Sequence, residues 1–239
     1  MTTVNKYVLI TGGSRGIGLS IAKRFLQDHH SVILIAQNEA YLNQVKKTLS
    51  DTYTNVDIIT IAIDLKNKSE IQQKLDVLFS DTSIQIEVLV NNAGIFLPGE
   101  LMNEEEGVLE DMLAVNLLSA YHLTRKVVPN MLSQQSGHIF NISSVAGTQA
   151  YANGGSYGIS KYALEGFSEN LRFELRKEGI KVTTVVPGAV WTDSWASSGL
   201  PEERFIKTED IANMIYQAYS CSGNSMIERI VIRPQEGDI

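Results

Sequence analysis

"YVLITGGSRGIGLSIAKRF", residues Tyr7 to Phe25, sets a β-branched apolar run against a glycine cluster and then an amphipathic stretch. The pattern reads as a strand, a tight turn holding Gly12, Gly16 and Gly18, and a helix. At a first βα turn glycine permits the tight path and lets backbone N–H groups approach a pyrophosphate, which the positive end of the helix dipole stabilises. A dinucleotide is the ligand such a turn predicts, with Ser14, Arg15 and Ile17 beside it; a glycine turn without a ligand is the alternative. The spacing is G-x-x-x-G-x-G rather than the usual G-x-G-x-x-G, and no G-K-[ST] follows, which excludes a P-loop.

Outward from this turn, short β-branched runs alternate with longer amphipathic ones. Strands are expected at 7–11, 31–36, 56–63, 87–90, 138–142, 181–186 and 229–233, and helices near 16–28, 41–50, 69–80, 105–134, 157–178 and 208–220. Strands apolar almost throughout must be covered on both faces. The expected fold is therefore α/β: a doubly wound, seven-stranded parallel sheet with helices on both faces, a Rossmann fold. No repeat or low-complexity linker marks a boundary, so residues 1–239 are expected to form a single domain. The one long stretch without periodicity, 189–207, is expected to be a substrate lid.

With 239 residues, 44% of them hydrophobic, the chain can bury one substantial core. It carries 27 acidic against 20 basic residues, a net charge of −7, and no Lys/Arg run longer than two, so nucleic acid is not an expected partner. Cys221, the single cysteine, excludes an internal disulfide framework and fits a reducing, cytoplasmic compartment. No 18-residue apolar run and no leader-like N-terminus occur, so no membrane partner is expected. The histidines stand at no metal-ligand spacing, and no metal is expected.

In NAD-preferring sites an acidic residue near the end of the second strand accepts from the ribose 2′-OH. Here that corner reads Ala36, Gln37, Asn38, with no carboxylate to repel a 2′-phosphate, and Arg15 can supply it a positive charge. NADP(H) is expected over NAD(H). Asp64, closing the third strand beside Leu65, is expected at the adenine, or as the cap of the next helix.

"SYGISKYALEGF", Ser156 to Phe167, places Tyr157 and Lys161 four apart, on one helix face. Together with "TGGSRGIG" (Thr11 to Gly18), "NNAG" (Asn91 to Gly94), Asn116 in "AVNLL", "NISS" ending at Ser144 thirteen positions before Tyr157, and "PGAVWT" (Pro187 to Thr192), it resembles the short-chain dehydrogenase/reductase family in its compact single-domain subtype. By that resemblance Asn116, Ser144, Tyr157 and Lys161 are the catalytic set. Asn92, Ala93, Gly94, Pro187, Gly188, Val190 and Thr192 then line the cofactor cleft with Tyr157 and Lys161, and a homodimer or homotetramer is implied.

A phenol has a reference pKa of about 10, and two neighbouring cations, the Lys161 ammonium and an oxidised nicotinamide, are expected to lower it towards neutrality. In the reductive direction hydride passes to a substrate carbonyl carbon while Tyr157 protonates the oxygen and Ser144 donates a hydrogen bond to it. The resemblance also implies that Lys161 holds the nicotinamide ribose and that Asn116 positions a water relaying protons to it.

"GGSYG", Gly154 to Gly158, formally matches the nucleophile elbow of α/β-hydrolases, but no apolar strand precedes it and no histidine follows His138. A dinucleotide-binding sensor or scaffold without catalysis is the remaining alternative; it has no need of a serine, tyrosine and lysine all placed for chemistry. Substrate choice is expected in 190–205, with both tryptophans, Trp191 and Trp195, as stacking walls or as anchors of the lid. "PGAVWTDSW" and "IRPQEGDI" resemble the bacterial branch of sepiapterin reductases, which implies a pterin whose guanidine-like edge meets Asp193 or Asp238. A 3-oxoacyl, steroid, sugar or diketone carbonyl is the alternative substrate.

Overall fold

The computed structural model describes residues 5–195 and 198–239; positions 196 and 197 of the expected lid lie outside the described residues. The strands are β1 (Asn5–Thr11), β2 (Ser31–Ala36), β3 (Ile58–Ala62), β4 (Ile84–Asn91), β5 (Gly137–Ile142), β6 (Ile180–Pro187) and β7 (Arg229–Ile232). Between them run α1 (Gly16–Gln27), α2 (Glu39–Thr52), α3 (Lys68–Ser80), α4 (Val108–Leu113), α5 (Ser119–Gln134), α6 (Gly155–Leu175) and α7 (Thr208–Tyr219).

Among the described residues all seven strands pair in parallel, in the order β3-β2-β1-β4-β5-β6-β7. Alternate side chains of β1 enter opposite layers: Val8 and Ile10 pack with Ile21 and Phe25 of α1, whereas Tyr7 and Leu9 pack in the layer of Leu123 and Val127 of α5. Both faces are thus covered, as the continuous apolar strands require. The order reverses between β1 and β4, and the crevice outside their carboxyl ends is where an open parallel sheet accepts a ligand.

Several element boundaries differ from the sequence reading, two of them for a structural reason. β4 begins at Ile84 rather than 87, because its first residues alternate buried Ile84 and Ile86 with half-buried Gln85 and Glu87 instead of running apolar; Glu87 is satisfied there by His30 at 2.7 Å and Tyr219 at 2.8 Å. The helix expected over 105–134 is interrupted by a π-helical turn, Ala114–Leu118, in which Ser119 N–H reaches back to Ala114 O. Such turns displace the helix register by one residue and cluster at functional sites. This one carries Asn116.

Candidate active site

The carboxyl ends of β1 and β4 are sewn together at the reversal point. Thr11 Oγ1 accepts from the backbone N–H groups of Asn92 and Ala93, each at 3.0 Å, and Asn92 Nδ2 donates to Thr11 O at 2.9 Å. Gly12 (φ +63°) follows so closely that a Cβ on it would stand 2.8 Å from Asn92 Nδ2. The first turn of α1 then has no side-chain cap and no acidic residue, leaving its N–H groups for an external anion.

Around this junction lies a cleft of about 1010 Å³. Its walls include Gly12, Ser14, Arg15, Gly16 and Ile17 from the glycine turn, Gln37, Asn38, Asp64 and Leu65 at the β2 and β3 ends, and Asn92, Ala93 and Gly94 after β4. Ser144, Tyr157 and Lys161 close one side, and Pro187, Gly188, Val190, Thr192 and Trp195 the other. A glycine cradle, an uncapped helix end and this volume suit a dinucleotide. Asp64 does not cap α3; its Oδ1 accepts from Lys66 N–H at 3.0 Å, and Asn67 caps the helix instead.

Three expected site residues do not line the cleft. Gly18 faces inward, where a Cβ would come within 2.3 Å of Gly12 O, so its glycine is required for helix-to-turn packing rather than ligand contact. Trp191 turns away and packs on Phe205, ring centroids 5.1 Å apart, with its N–H bonded to Ile206 O at 2.9 Å. It anchors the excursion 189–207, whose base is closed by the Val190–Ile206 bridge. Asn116 lies behind the wall. Its Nδ2 donates to Ile95 O and Ser160 Oγ, leaving that amide no free hydrogen with which to hold a relay water.

Tyr157 and Lys161 project from the first turns of α6 towards Ser144 at the end of β5. Lys161 is 4% exposed, and its Nζ donates to Ile142 O at 2.9 Å, 5.7 Å from the Tyr157 ring centroid. A Cβ on Gly94 would stand 3.3 Å from Asn116 Oδ1, a tight approach, and 3.6 Å from the same Nζ, an ordinary contact.

Residues 6–203 match the family model described as short chain dehydrogenase. The chain belongs to the short-chain dehydrogenase family. Sepiapterin reductase of Chlorobaculum tepidum is 32% identical over 238 residues, covering 97% of each chain. The NADP-dependent 3-hydroxy acid dehydrogenase of Escherichia coli is 36% identical over 186 residues, 77% of this chain and 72% of its own. Among solved structures, a metagenomic short-chain oxidoreductase in complex with NADP superposes with a TM-score of 0.83 at 28% identity, covering 98% of this chain and 99% of that one.

In this short-chain dehydrogenase the electrostatics of the bare protein run against the sequence expectation. Burial pushes the Tyr157 phenol up to about 12, with a hydrogen bond from Ser144 only partly opposing it. Burial also pulls Lys161 down to about 8, against the pull of the Glu165 carboxylate. Lys161 does not reach the phenol strongly because its ammonium is turned onto Ile142 O. The protein alone keeps the phenol protonated; the second cation assumed in the sequence reading belongs to the cofactor.

The substrate end also holds residues that sequence reasoning passed over, above all Phe96, Gln149, Tyr151 and Ile239. Phe96 meets Tyr157 edge-on at 4.8 Å and lies near-parallel to Trp195 at 6.3 Å, interplanar angle 27°. Its only sequence signal was its place two residues beyond "NNAG". The two carboxylates expected at a pterin edge are already engaged: Asp193 with Arg15 at 2.9 Å, and Asp238 with Arg233.

Proposed function

We propose that the protein is an NADP(H)-dependent carbonyl reductase in which Tyr157 is the proton donor. The observation that carries this reading is the convergence of three side chains on the cleft: Ser144 reaches the Tyr157 hydroxyl, and the Lys161 ammonium lies 5.7 Å from the Tyr157 ring centroid, beside Gly94. A nicotinamide bound there supplies the hydride that adds to the substrate carbonyl carbon. The Tyr157 hydroxyl gives its proton to the carbonyl oxygen, and the Ser144 hydroxyl donates a hydrogen bond to the same atom as charge develops on it. Lys161, charged at neutral pH, binds the ribose hydroxyls, and the phenolate is favoured by the positive charge of the oxidised nicotinamide left after hydride transfer. Tyr157→Phe tests the assignment: turnover should be lost while cofactor affinity stays within twofold, and retained turnover refutes it.

Preference for the 2′-phosphate is supported by the absence of a carboxylate at Gln37 and Asn38 and by Arg15 at the cleft edge. The Escherichia coli relative, an NADP-dependent enzyme, points the same way. The Arg15–Asp193 pair is 71% and 77% exposed, a geometry in which ion pairs hold little net energy, so Arg15 is free to exchange partners.

For the substrate, the aromatic walls Phe96, Tyr151 and Trp195 suit a flat heteroaromatic ketone such as a pterin; Asp238 at the rim meets its hydrogen-bond-donating edge only by leaving the pair with Arg233. A carboxylate-bearing substrate is the second reading, favoured by the name of the Escherichia coli 3-hydroxy acid dehydrogenase relative and by Arg15 and Lys66 at the cleft wall, whose ion pairs are exposed. NADPH oxidation with sepiapterin beside 3-oxoacyl esters and 3-hydroxy acids decides between them; no response to the pterin retires it. Segment 189–207 acts as the lid over this end. Apolar side chains exposed on α5 and α6, among them Tyr121, Ile159 and Phe173, support a homodimer or homotetramer, which sedimentation reads directly. Among the described residues no helix is long and apolar enough to cross a membrane, and a cytoplasmic setting rests on the lone Cys221.

A further inference from the structure

The helix that carries Tyr157 does not cap itself. The residue before α6, Gly154, supplies no side chain to its free N–H groups, and the turn that leads in passes through Asn153 at φ +58° and Gly155 at φ +31°. The missing cap arrives from fifty-two residues earlier. The half-buried Glu104 carboxylate accepts from Ser156 N–H at 2.9 Å through Oε1 and from the Ser156 hydroxyl through Oε2. Ser156 itself is 1% exposed.

The approach is close enough to dictate sequence. A Cβ on Gly155 would stand 2.1 Å from Glu104 Oε1 and 2.5 Å from Gly99 O, so only glycine fits between the two segments. A second tie runs alongside, Gly99 N–H to Asn153 O at 3.1 Å. Between β4 and Glu104 the same segment carries Phe96, whose ring meets Tyr157 at 4.8 Å.

A carboxylate on helix N-terminal N–H groups satisfies orphan donors and the dipole together. Here, however, the body of α6 is secured independently by Leu164, Ser168 and Leu175, which are buried against the sheet. What the carboxylate adds is the orientation of the first turn, in which Tyr157 is the third residue. We propose that Glu104 is a positioning residue for Tyr157: it clamps the start of α6 to the segment carrying Phe96, so that the phenol and the aromatic wall of the substrate end are set together. The proposal rests on the carbonyl-reductase reading, in which Tyr157 must reach the substrate oxygen. Displacements of about an ångström in such a group cost rate far more than binding.

The test uses Glu104→Ala, Glu104→Gln and Ser156→Ala in the full chain, with kcat, KM, NADPH affinity by fluorescence, thermal midpoint, and amide exchange of the 155–158 stretch. Wild-type turnover is established first, and its absence on every carbonyl offered defeats the reductase reading while leaving the exchange measurement to judge the clamp. Expected for Glu104→Ala is a fall in kcat of roughly ten- to a hundredfold, NADPH affinity within twofold, and faster exchange confined to the first turn of α6. Glu104→Gln, which keeps an acceptor for Ser156 N–H, should recover most of the rate, and Ser156→Ala should fall between. If Glu104→Ala is too unstable to purify, Ser156→Ala against Glu104→Gln carries the same comparison. Unchanged kcat in folded Glu104→Ala, or a thermal loss with no change in kcat or first-turn exchange, overturns the proposal.

Discussion

The Asn116 side chain and the Ile95 backbone form a closed pair: Nδ2 donates to Ile95 O at 3.0 Å and Oδ1 accepts from Ile95 N–H at 2.8 Å. A side chain on the π-helical turn thereby substitutes for a strand partner just beyond β4, holding Gly94 against Lys161 and starting the path to Phe96. Asn116→Ala leaves both Ile95 groups and Ser160 Oγ without this partner. We expect a loss of about 1–3 kcal/mol in urea unfolding, together with a fall in kcat from misplacement of the cleft wall. A stability loss under ~0.5 kcal/mol would show that water replaces the pair without cost.

The pH–rate profile follows from Lys161. Its buried ammonium, drawn down to about 8, is charged below that value and neutral above it, whereas Tyr157 keeps its proton to about 12. Reduction measured as kcat/KM should therefore fall about tenfold per unit above pH ~8, a limb belonging to the lysine and not the phenol. Lys161→Arg, permanently charged, should lose that limb even as its absolute rate drops. A limb that survives the substitution assigns it elsewhere.

Acid sensitivity has a separate source in β5. His138 is 3% exposed, stacked on Phe140, and bonded through Nε2 to the Thr183 hydroxyl, which itself donates to Ile227 O. That arrangement places the ring proton on Nε2 and leaves Nδ1 without a partner. Burial, with Lys181 adding to it, holds the folded pKa near 3 against about 6.5 when unfolded. The unfolded chain binds the extra proton in this window, so the contribution is intact above pH ~6.5 and is lost by about 1.4 kcal/mol per unit as pH falls towards 3. Urea unfolding of His138→Gln between pH 4 and 8 should show a slope shallower than wild type by that order; parallel slopes would contradict the buried neutral ring.

On the proposed reading Asp193, 2.9 Å from Arg15, competes with the cofactor 2′-phosphate for that guanidinium. Asp193→Asn releases Arg15 and should lower KM for NADPH by a few-fold at low salt with little effect on NADH. Arg15→Ala should raise KM for NADPH more than for NADH. Equal effects on the two cofactors would remove Arg15 from 2′-phosphate recognition.

Much of the molecule is legible along the chain because its signals are local. Apolar runs marked the strands, and the "TGGSRGIG" turn marked the site before any contact was known. Even there, periodicity ran 105–134 together as one helix, since a π-helical turn inserts a residue without breaking the apolar stripe. The start of β4 is obscured because Gln85 and Glu87 alternate with Ile84 and Ile86, and the Glu87 carboxylate is satisfied only by His30 and Tyr219 from distant segments.

The sequence by itself determined the doubly wound sheet, the glycine cradle and the Tyr157–Lys161 face, all of which arise from side-chain period and backbone freedom within a few residues. Only the tertiary structure decided that Trp195 faces the cleft while Trp191 packs on Phe205, that Gly18 and Asn116 serve the wall behind it, and that Phe96 meets Tyr157 and Glu104 meets Ser156. Those outcomes depend on how separate loops fold over one another and on how much water they exclude. The same exclusion raises the phenol and lowers the lysine, a burial effect that no spacing of residues along a chain can encode.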